Sequence, residues 1–199
     1  MAIQGLGGDD DPVISVVGDG FCLPYAAELV VKKKIQAFSN AHYDVYDTTG
    51  NILLKVDGGV WNLQKKRVMR DPADFPVLTM REKAFTWRHR WLIHQGEGSD
   101  RKNLLCTVRL SQALQIKRQL DVFLAGNQTK DCDFHVTGSL SSLSFKVYRG
   151  KTIIAEVIHS FTWESFCKGK ESFTVRLQPE VDYAFIVALI VIIQENESR

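Results

Sequence analysis

Polar and apolar residues alternate along most of this chain with a period of two, the pattern of strands that bury one face and show the other to solvent. Residues 43–47 alternate, a polar turn with Gly50 follows, and residues 52–56 alternate again. Gly50 supplies the positive φ of a tight hairpin, so this stretch predicts strand, turn, strand. Residues 145–148, the turn around Gly150 and residues 152–158 repeat the design. The repetition suggests a duplicated half-barrel, and convergent hairpin chemistry would produce the same pattern. Further alternating runs cover 29–35, 77–81, 85–94, 104–110, 120–124, 134–140 and 173–177. Turn-forming residues separate them, as a meandering sheet or barrel requires. Only 111–118 suggests a short helical turn.

The C-terminal segment breaks the alternation. Pro179 and Glu180 introduce an uninterrupted apolar run from Tyr183 to Ile193, closed by Gln194, Glu195 and Asn196. A proline at the first helical position, acids in the first turn and no polar face predict a helix over 180–193 that must be surrounded on every side. About 15 helical residues rise only about 22 Å, short of the ~30 Å and ~20 apolar residues of a membrane span. The run is also about twice a normal strand length. The lumen of a barrel suits this rod, because strands of five or six residues reach about 17–20 Å. The expected fold is therefore mainly β, a closed antiparallel barrel around a central hydrophobic C-terminal helix.

Composition narrows the picture little. The chain has 199 residues, 45% hydrophobic and 24% charged, which fits one all-β domain with a sizeable core. Residues 1–12, rich in glycine and aspartate, read as a flexible tail, and 13–199 as a single domain. The formal charge of +2 points to no bulk affinity for nucleic acid or membrane, so any electrostatic partner has to be met by a local patch. Cys22, Cys106, Cys132 and Cys167 show no CxxC pair and no secretory leader is evident, which predicts reduced thiols in the cytoplasm or nucleus. Cys22 reads as a buried thiol, with acylation as the alternative.

No GxSxG, GxGxxG, Walker A, HExxH or EF-hand sequence is present, and neither an enzyme nor a cofactor is expected. His89 and His94 fall on opposite faces of one strand, so they predict no paired metal site. Asp131 and Asp133, flanking Cys132, read as surface loop residues, too few for a calcium cage. The basic residues carry more. Arg88 and Arg90 share one face of the run 85–94, with Phe85, Trp87, His89 and Trp91 on the other. Lys32 and Lys34 form a second outward pair, and Lys65, Lys66, Arg67 and Arg70 cluster in a loop and strand. Such cations suit an anionic headgroup, or they keep an outer barrel face soluble. Trp61 and Trp163 could stack bases but read as core.

An ordered set of residues resembles the plant LURP-one-related family. It comprises residues 43–51 (Tyr43 to Asn51), Trp91 before Gln95, Gly96 and Glu97, residues 120–124, residues 134–138, Val147 and Tyr148 with Ile154, Ala155 and Glu156, and residues 179–189. The resemblance implies a barrel of twelve strands around a C-terminal helix, similar to the tubby C-terminal domain and to phospholipid scramblases. It implies a non-enzymatic, defence-responsive protein, by fold analogy a regulator tethered at the plasma membrane or acting in the nucleus, with an anionic phospholipid or phosphoinositide as ligand. A protein-interaction scaffold without lipid binding is the alternative. By the resemblance to tubby-like domains, Lys55 matches one lipid-contacting basic position, while Asp57 stands where another cation is expected. The candidate lipid-binding residues are therefore Lys55, Lys65, Lys66, Arg67, Arg88 and Arg90, and no metal site is assigned.

Overall fold

A computed structural model describes residues 13–36, 40–58, 65–83, 90–111, 117–139, 144–160 and 170–197. The strands are β1 (Ala27–Gln36), β2 (Asn40–Tyr46), β3 (Ile52–Gly58), β4 (Lys66–Arg70), β5 (Pro76–Glu82) and β6 (Arg90–Gln95). They continue with β7 (Leu104–Ser111), β8 (Lys117–Leu124), β9 (Phe134–Ser139), β10 (Ser144–Arg149), β11 (Thr152–Ser160) and β12 (Lys170–Leu177), and end in helix α1 (Tyr183–Glu197). Each strand pairs antiparallel with its sequence neighbours, and β1 also pairs with β12 from Ala27↔Leu177 to Lys34↔Lys170. The meander therefore closes and leaves no unpaired sheet edge.

Alternation decides what fills the barrel. Leu29, Val31, Tyr43, Val45, Leu54, Val56, Met69, Leu78, Met80, Trp91, Ile93, Val108 and Val122 are buried and face inward. The helix supplies the middle of that core: every residue from Ala184 to Ile192 is completely buried. Each large aliphatic side chain so enclosed contributes about 1.5–3 kcal/mol before conformational entropy is set against it. No helix among the described residues is long and apolar enough to cross a membrane.

Both anticipated hairpins are present, β2–β3 and β10–β11, with Gly50 at φ 90° and Gly150 at φ 59°. In each, the register shifts just before the turn, between Val45 and Tyr46 and between Val147 and Tyr148. The helical turn anticipated over 111–118 is not formed at its ends, since Ser111 closes β7 and Lys117 and Arg118 open β8; residues 112–116 lie outside the described residues. The tail assigned to 1–12, the stacking candidates Trp61 and Trp163, and Cys167 also lie outside them.

The helix begins later than its proline suggested. Pro179 and Glu180 form a turn, with Glu180 at φ 60°, and α1 starts at Tyr183. Pairing and capping explain the shift. Ile14 N–H donates to the Glu180 carbonyl at 2.8 Å, Asp182 N–H to the Ile14 carbonyl at 3.1 Å, and Glu180 N–H to the Leu23 carbonyl at 2.7 Å. Residues 13–23 thus lie as a strap over one barrel mouth. Asp182, wholly buried, accepts from Phe185 N–H at 3.0 Å with Oδ1, which caps the helix. Its Oδ2 accepts from Val16, Val17 and Gly18 N–H at 3.1, 2.7 and 3.3 Å. Burial raises this carboxyl above the ordinary aspartate range, and the four N–H donors pull against that rise.

Candidate functional site

At the opposite mouth the helix C-terminus meets a ring of cations. Arg67 Nη2 lies 2.7 Å from Glu195 Oε1, and Arg67 Nη1 donates to the Ala41 carbonyl at 3.0 Å. Lys65 Nζ donates to the Glu195 carbonyl at 2.8 Å. Lys33 Nζ, also inside the barrel, contacts Gln194 Oε1 at 3.0 Å and Glu171 Oε2 at 3.2 Å. Tyr43 OH donates to Glu195 Oε1 at 3.5 Å, and Trp91 Nε1 to Asn196 Oδ1 at 3.4 Å. Positive charge at the last turn complements the helix dipole and the carbonyls that no further turn satisfies. Burial and the nearby Glu195 carboxylate hold the Tyr43 hydroxyl far above its ordinary range, so it stays protonated.

The six sequence-derived candidates therefore divide by the face they occupy. Arg67 is buried on the inner face and Lys65 reaches over the rim to the helix end, so both serve the helix in this structure. The physical reason is parity: Arg67 shares its strand face with Met69, which is core, while Lys66 and Arg70 point outward. Lys66, Lys55 and Arg90 are half-buried on the outside, and Arg88 lies outside the described residues. Lys32 stands over the Tyr46 ring at 4.6 Å and Lys34 pairs with Asp44 at 2.8 Å, so that predicted pair is already engaged. Arg70 is taken up by Asp74 and Glu97.

Strand register then brings together cations that are distant in sequence. Lys66 lies directly opposite Arg81. Arg81 is opposite Leu92, two residues from Arg90, and Arg90 is opposite Arg109. Direct partners have Cβ atoms about 5 Å apart and diagonal ones about 7–8 Å, so Lys66, Arg81 and Arg90 form one outer patch across β4, β5 and β6. Arg109 borders it, stacked on the Phe123 ring at 4.3 Å. Among the described residues, no carboxylate lies within 4.0 Å of the Lys66, Arg81 or Arg90 side-chain nitrogens, and Arg81 Nε is buried without a hydrogen-bond partner. Lys55 sits apart, opposite Arg70, four residues along β4 from Lys66, a separation of about 13 Å. Sequence reasoning missed Arg81: alternation puts it outside, but only register puts it against Lys66.

The comparisons with known proteins agree with this architecture. The family model described as LURP-one-related matches residues 27–194. Protein LURP-one-related 14 of Arabidopsis thaliana is 51% identical over 192 residues, covering 94% of this chain and 93% of that protein. Protein LURP-one-related 9 of the same plant is 40% identical over 195 residues, covering 94% of this chain and 99% of its own length. A crystal structure of an Arabidopsis thaliana protein superposes with a TM-score of 0.70 at 35% identity, covering 93% of this chain and 99% of that one.

Proposed function

The chain belongs to the LURP-one-related family, and on that premise we propose that it is a non-enzymatic binding module that docks anionic phospholipid headgroups, phosphoinositides among them, on its outer face. The observation that carries this reading is the patch of Lys66, Arg81 and Arg90, whose side-chain nitrogens have no carboxylate within 4.0 Å among the described residues. Like charges opposite one another on a sheet lower stability, and a closed barrel has no edge for them to protect. Phosphate esters would neutralise them, with the arginine forks binding bidentately. Lys55, about 13 Å away along the sheet, and Arg88, outside the described residues, stay candidates from the sequence alone. A peripheral role at the plasma membrane and a part in plant defence follow as extensions of the same reading.

Vesicle sedimentation tests it. The protein should co-sediment with vesicles containing phosphoinositide at low salt, stay in solution with neutral vesicles, and be released as ionic strength screens the contact. Indifference to lipid charge contradicts the proposal. A stoichiometric protein partner captured in the absence of any lipid retention favours an interaction scaffold instead.

A further inference from the structure

On the outer face of β8 and β9, beside the barrel mouth that the strap covers, Asp121 lies directly opposite His135. His135 Nδ1 is 2.9 Å from Asp121 Oδ1. Cys132 stands three residues before His135, at the end of the loop leading into β9, and its Sγ joins the cluster: the three ligand atoms all lie within 4.8 Å of one another. All three residues are half-buried, shielded yet reachable from solvent.

The loop around them is built to hold that thiol in place. Asn127 Nδ2 donates to the Asp131 carbonyl at 2.9 Å and to Asp133 Oδ2 at 2.6 Å, while its own Oδ1 accepts from Thr129 N–H at 2.6 Å. Asp133 Oδ2 also accepts from Leu124 N–H at 2.8 Å, which ties the loop's end to β8. Asp133 is thereby occupied, and Cys132 is fixed between two braced neighbours. Arg109, across the sheet from Asp121, stacks on Phe123 and forms no ion pair with Asp121 among the described residues. The Asp121 carboxylate is near enough to the Cys132 thiol to interact with it directly.

We propose that Asp121, Cys132 and His135 bind a divalent cation of the zinc class. One sulfur, one imidazole nitrogen and one carboxylate oxygen form a borderline-soft donor set that hard calcium and magnesium do not favour. Three protein ligands leave a fourth tetrahedral position for water or for a donor from a partner. Ligand atoms around a tetrahedral zinc stand about 3.3–3.8 Å apart, within side-chain adjustment of the present cluster. On binding, the Cys132 thiol releases its proton to solvent and the sulfur becomes the ligand, so affinity rises with pH. Burial and the Asp121 carboxylate hold this thiol above its ordinary range while no metal is bound, so it is protonated until a cation displaces the proton. The sequence carried the signal as a C-x-x-H spacing across residues 132–135, incomplete until hairpin register added Asp121.

The test uses the untagged, reduced full-length chain and Co²⁺ as probe. One equivalent should produce a thiolate-to-cobalt charge-transfer band and tetrahedral d–d bands, both abolished by Zn²⁺ and unaffected by Ca²⁺. Cys132→Ser should remove the charge-transfer band, and Asp121→Asn or His135→Gln should weaken binding by about 10–100-fold. In the unsubstituted chain, Zn²⁺ should slow alkylation of Cys132 by iodoacetamide, read by peptide mass spectrometry, a measurement independent of any variant's folding. Absence of a thiolate band, its survival in Cys132→Ser, or an alkylation rate insensitive to zinc overturns the proposal.

Discussion

Arg67 and Glu195 meet at 2.7 Å inside the barrel mouth, both nearly inaccessible to solvent, and so fasten the last turn of the central helix to β4. Removing one partner of such a pair strands the other charge in a dry site, which typically costs about 3–5 kcal/mol. Arg67→Leu and Glu195→Leu should each lose stability on that scale in urea unfolding, and the double variant should lose less than their sum. Additive losses would show that the pair is not coupled.

Gly58 faces the same guanidinium from β3, in register with Arg67. A Cβ there would meet the Arg67 side chain, at 2.6 Å from Cζ and 2.7 Å from Cδ. Gly58→Ala should therefore evict Arg67 and destabilise by about 1–3 kcal/mol, the range of overpacking. In the Arg67→Leu background the added cost should change, because the obstructing atoms are gone.

These two residues illustrate what was legible in the sequence. Alternation and the all-apolar run 183–193 were enough to predict a barrel around its own helix, since period and length are local properties. Arg67 was not legible as an inner residue, because a cation on a core face makes sense only once Glu195 is known to stand opposite it. Arg81 and Asp121 were hidden for a related reason: alternation says which way each points, whereas their neighbours come from register with other strands. The start of α1 was misread because Pro179 looked like a first helical residue. The strap at 13–23 and the Asp182 side chain, contacts across the whole length of the chain, place the cap further on.

Asp182 joins strap and helix through four N–H donors. Asp182→Ala leaves those donors without their acceptor at the barrel's end, with an expected cost of about 2–4 kcal/mol. Hydrogen exchange should report it locally: the amides of Val16, Val17 and Gly18 should lose protection, while the β7–β8 amides change little at matched stability. Uniform loss across the barrel would mean that the strap is not a separable latch.

In the first hairpin Asp47 accepts from the Asn51 and Thr49 side chains and from both their N–H groups. Those bonds, the Asn51 and Thr49 side chains first, lower its carboxyl to about 2, against an ordinary value of 3.8. A depressed folded-state pKa means stability that is present above pH 3.8 and lost as pH falls toward about 2. The stability difference between the unsubstituted chain and Asp47→Ala should shrink through that window, followed by denaturant unfolding at successive pH values. A constant difference would contradict the assignment.

The proposed division gives the inner cations to the helix and the outer ones to a ligand. Its most direct test compares two triple variants of equal charge in sedimentation with phosphoinositide vesicles at low salt. One is Lys66→Gln, Arg81→Gln and Arg90→Gln; the other neutralises the exposed Lys102, Lys130 and Lys151. At about 1 kcal/mol per charge near an anionic surface, the first should weaken retention on the order of 100-fold and the second far less. Equal loss in both, or retention unchanged in the first, would contradict that division.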